Sequence, residues 1–166
     1  MNRDLLATYL NDHLAGSVAA LELLDRLHRL SRGTNQEQLF ASLREEIEED
    51  QEIVKLLLRA VGGKESMARK AAAWLTEKIG EAKLDLDDSG SGQLRLLEAL
   101  ETLGLGIRGK LGLWRALGTA ASAEPEIGRL DLPRLERRAR DQFDRVEAQR
   151  LLAARAAFGG QPDPAP

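Results

Sequence analysis

The chain has 166 residues, a net charge of -3, no cysteine, 43% apolar and 31% charged residues. That length is one ordinary domain with room for a real core. The charge gives no overall basic field for nucleic acid or an anionic membrane, and the missing thiols exclude disulfides, thiolate metal sites and cysteine nucleophiles.

Met1-Asn2-Arg3-Asp4 runs straight into a polar-interrupted helix, with neither a basic n-region nor an apolar h-region. No run of about 18 apolar residues follows anywhere, so a cytoplasmic protein with no membrane span is expected. The first helix, A, is predicted from about Asp4 to Leu30, because Leu6, Leu10, His13, Ser17, Ala20, Leu24 and Leu27 recur at helical spacing. Leu14, Val18 and Leu21 widen its apolar face enough for two neighbours. Gly33 suits a helix C′ position, and Thr34 or Asn35 can cap the next helix. So short a turn places helix B antiparallel to A.

Helix B is predicted from about Gln36 to Val61, with Leu39, Leu43, Ile47, Ile53, Val54, Leu57 and Leu58 as its stripe. Glu46 and Asp50 interrupt that stripe, and Gly62-Gly63 stops the helix. Residues 62–90 form a long connection. Within it Lys64–Ile79 reads as a shorter helix packing through Met67, Ala71, Trp74, Leu75 and Ile79, and 80–92 is turn-rich. Asp85, Asp87, Ser89 and Gly90 imitate the start of a calcium loop. Its last position falls on Leu96, where a bidentate glutamate is needed, so this stretch reads as a turn.

Helix C is predicted from about Ser91 to Leu117, with Leu96, Leu100, Leu103, Ile107, Leu111 and Trp114 on one face. Gly104, Gly106, Gly109 and Gly112 lie inside it, and each costs roughly 1 kcal/mol of helix stability against alanine. They are expected to mark close approach of a neighbouring backbone, with a kink or frayed turn as the alternative. After a loop over 120–130, Asp131 caps helix D, which tolerates Pro133 in its first turn. Its stripe is Leu135, Ala139, Phe143, Val146, Ala153 and Ala157. Residues 1–158 are thus expected to form one helical domain, with 159–166 a disordered tail. No segment reads as a strand.

Two long antiparallel helices, a long connection and a second such pair make an order that resembles the ferritin-like four-helix bundle. The opening Tyr9-Leu10-Asn11-Asp12-His13-Leu14-Ala15-Gly16-Ser17, followed by Leu21-Glu22-Leu23-Leu24, is similar to small uncharacterised bacterial members of that family. The resemblance implies an all-α up-down bundle with 62–90 as the crossover between B and C. It also implies a dinuclear metal site, built from carboxylates and a Glu-x-x-His pair on each of two helices. This chain has no Glu-x-x-His: Glu147-Ala-Gln-Arg150 and Glu46-Ile-Glu-Glu49 stand at the corresponding places, and arginine cannot ligate a metal. A non-catalytic bundle without a cofactor is therefore expected, with a structural or interaction role and an unidentified protein partner. The alternative is an iron or manganese oxidoreductase or metal store using His13, Glu46, Glu49, Glu101 and Glu147.

Charged residues that interrupt or border the stripes suggest a different use of the core. His13, Glu46, Asp50, Glu101, Arg108 and Arg150 are expected to form an ionic network, with Arg108 or Arg150 bridging to Glu46, Asp50 or Glu101. The arginines of helix D alternate with acids, as on a solvated surface, so nucleic-acid binding is not expected. A homodimer is expected, joined through Trp74, Trp114 or Leu105. A third reading, an apolar ligand held between helices, requires a core cavity, and the glycines of helix C are its only hint.

Overall fold

The computed structural model describes residues 2–65 and 90–159. Among them are five helices and no strand: α1 (Arg3–Leu30), α2 (Glu37–Ala60), α3 (Gly90–Ala120), α4 (Pro125–Gly128) and α5 (Leu132–Phe158). Of the helix proposed over 64–79 only Lys64 and Glu65 are described, and they are not helical; the calcium-like stretch is described only from Gly90, which opens α3, and Trp74 and the tail from 160 onward lie outside the described residues.

Each boundary has a local cause. The Asn2 side chain accepts from the Leu5 backbone N–H at 3.1 Å, and Asp131 does the same for Arg134 at 3.0 Å, so both helices start on an N-cap that satisfies a free donor. The second helix is capped differently from expectation. Gln36 occupies its N-cap position without a side-chain bond to the helix backbone, while Thr34 Oγ1 accepts from Gln36 N–H at 3.2 Å within the turn. Gly62 follows the Val61 C-cap of α2 with φ of 83°, the left-handed region that glycine enters without strain. Gly33, expected at C′, instead lies two residues past the Ser31 C-cap of α1 and takes φ of 78° within the turn. The segment expected as a plain loop carries the one-turn α4. Arg3 grips Glu124 there through two bonds of 3.0 and 3.2 Å, which ties the start of α1 to the turn before α4.

The four long helices pack as two antiparallel pairs, α1 with α2 and α3 with α5. The pairs meet directly along α1 and α3. Across the other seam α2 and α5 are joined by long polar side chains, from Gln36–Gln149 at one end to Glu49–Arg138 further along. The apolar core falls into two clusters. One joins Leu23, Leu24 and Leu27 to Phe40, Leu43, Leu100, Leu103 and Val146. The other joins Leu10 and Leu14 to Leu57, Leu58, Leu113, Trp114, Leu117 and Leu135.

This pairing fixes chain directions. The start of α1 lies with the ends of α2 and α3 and the start of α5, so α1 and α5 run one way and α2 and α3 the other. The chain therefore leaves α2 at one end of the molecule and enters α3 at the opposite end. Trp114 is 0% exposed in the second cluster, which removes it from any interface, whereas Leu105 is 72% exposed.

Candidate functional site

Between the two apolar clusters lies a layer to which every long helix contributes a polar side chain. Ser17 comes from α1, Asp50 and Gln51 from α2, Lys110 from α3 and Gln142 from α5; Asp50 is 2% exposed and Gln142 0%. A carboxylate at that depth is tolerated only when it is paired and hydrogen-bonded. Asp50 is held at both oxygens: Oδ2 accepts from Lys110 Nζ at 2.5 Å, and Oδ1 from the Arg138 guanidinium. Lys110 donates a second proton to Gln142 Oε1 at 2.5 Å. Gln142 Nε2 in turn donates to Glu46 Oε2 at 2.9 Å.

Glu46 is neutralised in the same way. Arg145 reaches Oε2 at 2.5 Å, and Ser42 donates to Oε1 at 3.1 Å. Burial pushes the Glu46 carboxyl up, but the bonds from Arg145 and Gln142 outweigh it and hold the group below its ordinary range. Burial pushes the Lys110 ammonium down, against the opposing pull of Asp50. Arg138 also meets Glu49 at 2.7 Å. Arg145 also meets Asp141 at 2.9 Å, so four carboxylates, of Glu46, Glu49, Asp50 and Asp141, face three cations, of Lys110, Arg138 and Arg145.

Beside this layer a cleft of about 190 Å³ opens between α1, α2 and α3. Ile47, Val54, Ile107 and Leu113 supply apolar wall, and Asp50, Lys110 and Gln51 are the polar groups of the layer that border it. Gln51 Nε2 donates to Ser17 Oγ at 2.8 Å, and Ser17 donates to the Leu14 carbonyl at 2.7 Å, which fixes both side chains. His13 is half-buried on the same border, its ring edge-on to Tyr9 with 4.7 Å between centroids. Burial pushes the His13 imidazole down, opposed by neighbouring Asp12, so the neutral form is favoured at pH 7.

Gly16, Gly106 and Gly109 sit exposed along the cleft, and a Cβ added at any of them meets nothing within 4 Å. This corrects the expectation of close backbone approach. Of Gly104, Gly106, Gly109 and Gly112, only Gly104 touches a neighbour, with its Cβ position 3.5 Å from the Phe143 ring, while Gly112 also faces open space. The cause is the rotation of α3, which turns Leu103, Ile107 and Trp114 into the core and leaves most of its glycines outside.

Compared with protein-family models, curated proteins and solved structures, the chain matches none of them. The placement of its own residues therefore carries the functional argument. Asp50 stands in the buried layer, half-buried Glu46 at its edge and His13 at the cleft. Glu101, Arg108, Glu147 and Arg150 gather elsewhere, around Phe143 on the outer side of α3 and α5. Arg150 meets Glu101 at 3.2 Å and Glu147 at 2.7 Å. The bond to Glu147 raises the Arg150 pKa, and the same bond lowers that of Glu147. Arg108 lies 4.0 Å over the Phe143 ring, a cation–π contact.

Of the expected bridges only Arg150–Glu101 is formed, and it lies on the outer side rather than in the core. Because both arginines project from that outer side, neither Arg108 nor Arg150 reaches Glu46 or Asp50. Lys110, Arg138 and Arg145 take that place. Nor do His13, Glu46, Glu49, Glu101 and Glu147 converge; among the described residues no three His, Asp or Glu side chains come together to hold a metal ion. Lys110 and Gln142 were detectable as breaks in a pattern. Lys110 sits three residues after Ile107 and four before Trp114, and Gln142 three after Ala139 and four before Val146.

Proposed function

We propose that this chain is a non-catalytic, ferritin-like helical bundle in which the protein's own cations neutralise the acids of the core, and that its role is structural or one of interaction. One observation carries this reading: the Asp50 carboxylate is engaged at one oxygen by Lys110 and at the other by Arg138. A carboxylate whose lone pairs are filled by ammonium and guanidinium donors has little left to offer an inorganic cation. Arg145 and Gln142 both donate to Glu46 Oε2, and the Ser42 hydroxyl donates to Oε1. Chain direction supports the ferritin-like part, since one long crossover between opposite ends of parallel α2 and α3 is the connection that family uses.

A homodimer in the cytoplasm fits the same reading. No described helix is long and apolar enough to cross a membrane. Leu105 and Phe158, 72% and 71% exposed, are the large apolar side chains most open to a partner.

Elemental analysis after anaerobic incubation with excess Fe²⁺ or Mn²⁺, followed by desalting, tests the proposal. Much less than one equivalent of metal is expected to remain. One or more equivalents retained, and lost in Asp50→Asn or Glu46→Gln, would replace this reading with a carboxylate-bound metal oxidoreductase or store.

A further inference from the structure

We propose that the cleft between α1, α2 and α3 is a binding site for a small, uncharged, largely apolar molecule that directs one hydrogen-bond acceptor toward Lys110. The inference stands whether or not the core once served a metal, since it rests on the shape of the cleft and on Lys110, which lines it.

Three glycines on two facing helices, Gly16, Gly106 and Gly109, are each costly to helix stability. Ordinarily that cost is offset by a backbone or side chain that could not otherwise approach. Here nothing of the described chain lies within 4 Å of where their Cβ atoms would be. What the glycines preserve is the room itself. At about 190 Å³ it exceeds the roughly 150 Å³ cavity that is known to admit benzene.

The wall chemistry narrows the occupant. Ile47, Val54, Ile107 and Leu113 favour an apolar body. Asp50 and Glu49 together already balance Lys110 and Arg138, and His13 is held toward its neutral form. A charged ligand would therefore enter without a partner, and Asp12 at the border repels an anion further. An ammonium has three donors, of which Lys110 commits one to Asp50 and one to Gln142. The remaining N–H belongs to a side chain that lines the cleft, and a hydroxyl or carbonyl oxygen on the ligand would satisfy it.

The test compares benzyl alcohol, toluene and benzoate, which share a ring and differ in acceptor and charge. Each is titrated into the ¹⁵N-labelled full chain and followed by amide shifts. Benzyl alcohol is expected to give saturable shifts centred on Gly16, Gly106 and Gly109, several-fold tighter than toluene, with benzoate giving none. Gly16→Ala/Gly106→Ala/Gly109→Ala should weaken benzyl alcohol at least tenfold while raising the melting temperature. That opposite movement separates a filled cleft from a damaged fold. Lys110→Met should abolish the preference for benzyl alcohol over toluene.

The proposal is overturned if benzyl alcohol causes no saturable shift, if benzoate binds equally well, or if the triple alanine variant binds as tightly as the parent chain. It is also overturned if the glycine amides move with protein concentration rather than with additive, which would assign the strip to a second copy of the chain.

Discussion

Replacing Asp50 with asparagine keeps the shape of the side chain and removes its charge. Lys110 and Arg138, whose side chains are 13% and 16% exposed, would then share one neutral carbonyl oxygen where each now has a carboxylate oxygen. Breaking a buried pair by removing one partner costs about 3–5 kcal/mol. Two features reduce that here. Both cations keep a second acceptor, Gln142 for Lys110 and Glu49 for Arg138, and burial already eases proton loss from Lys110. A loss of about 3 kcal/mol is therefore expected, or a fall in Tm of about 6–12 °C for a chain of this size. Urea unfolding at pH 7, followed by circular dichroism with m unchanged, measures it. Lys110→Met alone should cost a similar amount. The double variant should cost at least about 1.5 kcal/mol less than the sum of the two, because groups in direct contact do not behave additively. An Asp50→Asn variant within about 0.5 kcal/mol of the parent, or strict additivity in the cycle, would refute the argument that this carboxylate is held by its cations.

Gly106→Ala and Gly109→Ala should each raise stability by about 0.5–1 kcal/mol in the same assay, since they remove a helix penalty where nothing crowds the new methyl. Lowering the pH should weaken the fold in two stages. His13 has a folded-state pKa below its ordinary 6.5, so the unfolded chain takes up the proton first and stability falls as pH drops below 6.5; His13→Gln should flatten that stage in pH-dependent thermal melts. Glu46 is also depressed, so the stability it adds is present above pH 4.5 and is lost below it; Glu46→Gln should flatten this second stage. Leu103→Ala, at a site 1% exposed, should cost about 2–5 kcal/mol, whereas Leu105→Ala, at 72%, should leave unfolding of the monomer within about 0.5 kcal/mol of the parent.

Helix content was legible because the apolar residues repeat at helical spacing over segments too long for chance. Gly62 and Asp131 stand where a glycine terminator and an acidic cap belong. The short α4 was not legible, since four residues carry no periodicity of their own. Glu46 and Asp50 were recognisable as acids facing the core, but the identity of their partners depends on helix rotation and relative height, which one strand of sequence does not contain. Arg138 and Arg145 are seven residues apart and therefore share a face, while Arg150 is turned roughly 140° from Arg145 at 100° per residue. The purpose of the glycines was equally hidden. Close packing and open space both favour a missing side chain, and only the position of the neighbouring atoms separates them.

The polar layer also determines how the rods align lengthwise. A leucine stripe alone lets one rod slide past another by a full turn of about 5.4 Å, with each leucine meeting the next hole. Such a slip here would carry the Lys110 ammonium toward Trp114 or Ile107 and strand Asp50 among leucines, where neither charge has an answering group. Ser17 with Gln51, and Lys110 with Asp50 and Gln142, act as a single notch cut across four otherwise greasy surfaces, and only one vertical setting lets each find its partner.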